Sequence, residues 1–550
     1  MSPHGKQRGR RRGGRRRAGA SPTQADAPPT APPPGYQQAP PYQQGPPQQQ
    51  GPPARGARTA AAQGRRPRRR RRSLVDLIPL PLVAVLVLLA ALVGVGELTL
   101  PERRTQIAGL EAAKAAVTSA RVVCPFAPAQ QIAVAAPGKG KGEVTVQPLG
   151  SSTGSPLGAL RTAPGRAVAD TVDENEAVVA SAEGATAPGF EVEQYSRSDS
   201  GVNRGIRDVR CTTPSTDWWF AGAATTAGNT TDLYLSNLDR SASTVDIVAY
   251  GEDGVIDPEA GRGITIDPGK RRVVKLSEIA PELATSAVRV FARSGRVAAA
   301  MHTGVRDGDT SYGGAWVPPS TPKAGNIVVP AVPSGSGDRK LVLFAPGEQD
   351  TTVGVRLSTP TGSFAPEGKD KVNIPAQQAI EVDLGDVMTK SATALQVSSD
   401  VPLVASVVAV EGGSGEDGGV AFSAGTPALS SPATVPLVPT GKIEATLHLT
   451  AAVEDAQVDV RTMSPRPSAP RTVRIPAGRT VQVKLTPPRG DSAYGIIVTP
   501  RDGSGPVYGS RVLTASPKDG PLIASLGLVP GVHQVSLPPV VPEIGAGVPR

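Results

Sequence analysis

The chain has 550 residues, with 62 Gly, 57 Pro, only 3% aromatics and a formal net charge of +10. The basicity is confined to one end: residues 1–72 hold sixteen Arg and one Lys against the single acid Asp26, which leaves −6 for the remainder. A mildly acidic body has no electrostatic footprint for nucleic acid, so nucleic acid is not expected as its partner.

Residues 1–72 are expected to form a disordered cytoplasmic tail. Lys6 to Arg17 is an arginine-glycine run, and residues 21–53 are almost all Pro, Gln, Gly and Ala, with Tyr36 and Tyr42 as the aromatics. Such a segment buries too little apolar surface to offset its ordering entropy. It ends in a basic block, Arg65, Arg66, Arg68, Arg69, Arg70, Arg71 and Arg72, suited to anionic lipid head groups at about 1 kcal/mol per residue.

The apolar run 77–96 contains no charged, hydrogen-bonding or aromatic side chain. A helix of that length matches a hydrocarbon core of about 30 Å. We therefore expect a transmembrane helix over 73–97. A cleaved signal peptide is the alternative, but the preceding segment is too long and no small-residue cleavage site follows cleanly. The flanking arginines keep the N-terminus cytoplasmic and place the body outside, as a single-pass cell-membrane protein. Residues 98–120 follow as a helical stalk: Thr99-Leu100-Pro101-Glu102 has capping-box spacing, and the stretch to Val122 is rich in Ala, Glu, Lys and Arg.

The body reads as all-β and repetitive. Pro164, Pro268, Pro375 and Pro476 each stand in a short turn between apolar runs. Around the last, Val473 and Ile475 precede the turn and Val481, Val483 and Leu485 follow it, alternating with Arg474, Gln482 and Lys484. Period two on both sides predicts a half-buried antiparallel hairpin across each turn. About thirty residues later comes an apolar strand, a polar turn and another apolar strand, as in 287–301 and 394–408. These landmarks divide the body into repeats 121–210, 211–322, 323–430 and 431–550. Seven or eight short strands in each suit tandem immunoglobulin-like β-sandwiches. A β-propeller with two blades per repeat is the alternative.

The order of 232–254, ITIDPGKRRVVKL (264–276) and AVRVFARSGRVAAA (287–300) resembles a repeat of an uncharacterised family of actinobacterial, membrane-anchored envelope proteins. The resemblance is loose over 65–550 and best over 211–515. It implies a basic tail, one span and a β-rich exported region, with accessory proteins of envelope glycosyltransferases as the nearest association. It carries no catalytic residue.

Cys124 and Cys211 are the only cysteines. An even count in an oxidising compartment predicts one disulfide, with two free buried thiols as the alternative. His4, His302, His448 and His533 are isolated, and the Gly138–Gly142 run lacks the Ser or Thr and the helix of a phosphate loop. Acidic runs such as Glu252-Asp253-Gly254 read as turns. No cofactor or metal is expected. All three tryptophans fall in one repeat, so Trp218, Trp219, Tyr312 and Trp316 are the candidate binding residues, an outward Trp stacking on a sugar or partner; the rival reading packs it beneath a neighbouring repeat. The expected function is a non-enzymatic envelope accessory that binds glycan or glycan-synthesis enzymes. A cell-wall glycan enzyme and a passive spacer or adhesion protein are the alternatives.

Overall fold

A computed structural model of the chain describes residues 113–537, apart from 126–130, 152–157, 171–176, 202–203, 258, 336, 386–390, 413–416, 466–468 and 490–492. The basic tail, its arginine block, the expected span at 73–97 and most of the expected stalk lie outside these residues. Among the described residues, no helix is long and apolar enough to cross a membrane.

The described chain is nearly all β. Its one α-helix is the four-residue turn Leu276–Ile279. The end of the stalk corrects the sequence expectation: Ala113–Ala116 and Ser119–Cys124 are strands. Helix propensity is a weak prior that tertiary pairing overrides. Here Ala113–Ala116 pairs antiparallel with Gln534–Leu537, Ala113 opposite Leu537, and the Val117 amide donates to the His533 carbonyl at 3.1 Å.

One pairing order recurs in four units. In unit II the principal strands are Asp217–Ala223, Thr230–Ser236, Ser243–Gly251, Ile264–Ile266, Arg271–Lys275, Ser286–Ser294, Ala298–Asp307 and Thr310–Val317. The first, sixth, third and fourth form one sheet; the fifth, second, seventh and eighth form the other. Unit IV, from Ala433–Pro439 to Leu522–Gly527, has the same two sheets. Unit III, from Lys323–Val332 to Gly419–Ala424, fuses its sixth and seventh strands into Thr393–Glu411, which bends through both sheets. Unit I fuses two pairs, as Gln131–Pro148 and Gly158–Asp170, which pair with each other from Gln131 and Asp170 to Val146 and Gly158. The sheets of units I and III therefore curl into near-barrels.

This order differs from the immunoglobulin one, in which the first strand lies beside the second. Here the first pairs with the sixth, the second with the fifth and the third with the fourth, as in one long hairpin rolled across two faces. The meander of a propeller blade does not occur in these sheets either. The Pro turns at 268, 375 and 476 are corrected too, while Pro164 lies inside the continuous strand Gly158–Asp170. Arg471–Ile475 pairs with Ala456–Met463, while Arg479–Lys484 pairs with Glu444–Ala451 in the opposite sheet. The turn is an arch between sheets and not a hairpin. Both arrangements bury every second residue, so alternation alone does not separate them. The arch tip needs a left-handed residue, supplied by Gly478 at φ 71° and in unit III by Gln377 at φ 58°. A carboxylate fixes each tip: Asp455 accepts from the Ala477 amide at 2.7 Å, and Asp350 from the Ala376 amide at 2.8 Å.

Each unit closes its own core between its sheets. In unit II Phe220, Leu233, Val245, Val288 and Met301 are sealed together; in unit IV Leu447, Leu449, Val458, Ile496 and Leu513 play that part. Burying one such side chain contributes about 1.5–3 kcal/mol. The eighth strands, Gly205–Arg210, Thr310–Val317, Gly419–Ala424 and Leu522–Gly527, then pack against one another in the cyclic order I–II–III–IV. The four units form a closed ring with these strands at its centre. Cys124 and Cys211 form a disulfide that spans unit I.

Candidate functional site

Several buried charged groups lie in the seams between units; Arg339, sealed within unit III against Glu411, is one that does not. The strand Gly205–Arg210 shows how the seam groups are placed. Successive side chains of a strand face opposite ways. Ile206 and Asp208 turn to unit IV, where Ile206 joins that unit's core. Val209 turns to unit II and packs with Ala300 and Trp316, so Arg207 shares that side.

On the unit IV side, Arg511 donates to Glu193 at 2.5 Å and also to Asp208 and the Leu437 carbonyl. The guanidinium and both carboxylates are essentially sealed. Two carboxylates facing one cation leave an excess negative charge. Burial, with the neighbouring Asp208, outweighs Arg511 and holds the Glu193 carboxyl well above the usual range.

At the centre of the ring, Arg204 ties the other three units to the first. Its carbonyl accepts from the Gly314 amide of unit II at 2.9 Å, and its guanidinium donates to the Gly418 carbonyl, leading into unit III, and to Pro521 at 3.0 Å, leading into unit IV. Gly313 has φ 75°, and a Cβ there would stand 2.3 Å from the Arg204 carbonyl oxygen, so only glycine admits this approach.

The III–IV seam holds His448, enclosed beside Thr446 and Gln482, each 3.3 Å from its Nε2. Burial lowers its pKa from 6.5 to about 4. The unfolded chain then takes up a proton below about pH 6.5 that the folded chain refuses. Stability from this group is complete above that pH and is lost as the medium becomes acidic, by about 2 kcal/mol at pH 5. Urea unfolding at pH 7 and pH 5 checks this: the wild-type drop should exceed that of His448→Gln by about 2 kcal/mol.

The four aromatic candidates do not come together. Trp218 is half-buried against unit II's own core, its indole donating to the Val297 carbonyl at 2.9 Å. Trp219 faces away from that core but is buried in the II–III seam, 5.9 Å from the Tyr250 ring and 5.5 Å from Phe344. Tyr312 stands near the ring centre beside Gly418. Trp316 is buried in the I–II seam, 5.4 Å from Tyr234 and 5.1 Å from His302. The outward tryptophan packs beneath a neighbouring unit, the rival reading of the sequence.

The groups that do converge around Trp316 are Arg207, His302 and Tyr234. Arg207 had no sequence signal beyond a basic residue at a buried strand position. Burial lowers the Arg207 pKa, opposed by Tyr234. Elsewhere, a cavity of about 200 Å³ in unit II is lined by residues that include Glu252, Asp253, Glu282, Leu283 and Thr285. Among the described residues there is no cluster of three or more side chains able to hold a metal ion.

Residues 167–486 match a family of unknown function, DUF5719. The chain belongs to this family. The matched segment begins inside Gly158–Asp170 of unit I and ends just beyond Arg479–Lys484 of unit IV, so the family pattern runs across three seams. A comparison with curated proteins finds no match.

Proposed function

We propose that the chain is a non-enzymatic accessory of the cell envelope, in which the ring of β units is a rigid platform for envelope glycan or for the membrane enzymes that build it. The observation that supports this reading is where four of the buried ionisable groups lie. Arg204, Arg511, Glu193 and Asp208 fasten one unit to the next and do not converge on a cleft. A molecule that invests its buried charge in seams gains a fixed relative placement of four outer surfaces, which serves presentation better than turnover. In this reading the run 77–96 is the anchor, the arginines at 65–72 contact anionic lipid on the cytoplasmic side, and the ring stands outside.

Cross-linking in cells, with mass-spectrometric identification of partners, tests the proposal. Membrane glycosyltransferases or covalently trapped glycan are the expected captures. Turnover of purified glycan by the protein, lost on Glu282→Gln in the acidic cavity, would overturn it in favour of an enzyme.

A further inference from the structure

The I–II seam holds three buried side-chain nitrogens that the rest of the fold leaves without hydrogen-bond partners. The Arg207 Nε, the Trp316 Nε1 and the His302 Nε2 are all buried and unpartnered. Arg207 and Trp316 are each only 5% exposed. They share one place: Val209, on the same side of its strand as Arg207, packs against Trp316, and His302 lies directly opposite Trp316 in the sheet. The contrast with the next residue is informative. Asp208 turns to the other seam, where one guanidinium meets two carboxylates, whereas Arg207 has no carboxylate partner among the described residues.

The donor set defines what fits. Arginine and indole nitrogens only donate, and a buried cation without a counter-charge is costly. Burial lowers the His302 pKa to about 3, so its imidazole is neutral and able to donate or accept. A neutral acceptor would leave the guanidinium charge uncompensated; an anionic oxygen compensates it. Beside Trp316 stands the half-buried Tyr234, which carries the Arg271 guanidinium 5.7 Å above its ring.

We propose that the I–II seam is a binding site for an oxyanion, a carboxylate or phosphate group borne by a ligand, received by Arg207 with Trp316 and His302 beside it. The site stands independently of the envelope reading, because it is built from seam residues of the ring alone.

The test is thermal unfolding of the full-length protein in detergent, titrated with glucuronate, inorganic phosphate, neutral glucose, and chloride at matched ionic strength. Tm should rise saturably with glucuronate or with phosphate and not with glucose or chloride. Whichever of the two saturates at lower concentration names the source of the group. Arg207→Met should weaken that response at least about tenfold. It should also raise Tm without anion, since it removes the uncompensated cation. Trp316→Phe keeps the packing and loses the N–H, so it should weaken the response several-fold, and it carries the test if the methionine variant fails to fold. No saturable rise with either anion, or an equal rise in both variants, would overturn the site and leave the seam to ordinary water.

Discussion

Arg511→Met is expected to cost about 3–5 kcal/mol of stability, because it strands two carboxylates in a sealed seam. Glu193 and Asp208 are each about 1% exposed at the side chain, and Arg511 is their shared partner. Removing the cation leaves the two carboxyl groups without compensation in a low dielectric, so the seam must rearrange or open. Adding Glu193→Gln and Asp208→Asn to Arg511→Met should restore most of the stability, since neutral amides need no counter-charge. Urea unfolding of the three proteins measures this. A loss under about 1 kcal/mol for Arg511→Met would show that the triad does not hold the I–IV seam.

Opening the disulfide should cost a comparable amount. Cys124 and Cys211 close a loop of 87 residues around unit I. In the chain-entropy account, freeing a loop of that length costs about 4–5 kcal/mol. Oxidised wild type should unfold at correspondingly higher denaturant than the same protein reduced, and Cys124→Ala with Cys211→Ala should match the reduced form. The bond lies beside the junction to unit II, where the Val123 amide donates to Thr212 at 2.8 Å and the Thr212 amide to Val123 at 2.9 Å. Hydrogen exchange in the reduced protein should therefore quicken first in unit I. A difference below about 1 kcal/mol between the two redox forms would contradict this.

Strands were legible in the sequence and their partners were not. Val473, Ile475 and Val483 alternate in the sequence as they do in the core, yet the two runs lie in opposite sheets. Alternation reports which face is buried and nothing about which strand lies beside it. The cysteine pairing was legible because two residues admit only one bridge. The stalk was misread at Ala113–Ala116, where composition favours helix; the partner that decides otherwise, Gln534–Leu537, is over four hundred residues away. The surroundings of the tryptophans depend on distant partners in the same way. Trp219 and Trp316 do face out of their own sandwich, but whether an outward residue meets water or a neighbouring unit depends on ring closure, which no local pattern encodes. Arg204 left no signal at all: its partners are backbone carbonyls and an amide of three other units.

Closure of the ring is the claim on which the seams, the presentation surface and the oxyanion site all depend. Ala115 stands opposite Val535 in the pairing that joins the two ends of the described chain. With Ala115→Cys and Val535→Cys introduced together, mild oxidation of the purified protein followed by non-reducing peptide mapping reports the closure directly. The closed ring predicts a peptide linking residues 115 and 535 alongside the native 124–211 link. Two freely alkylated thiols at 115 and 535, with the native link intact, would show that the ends do not meet.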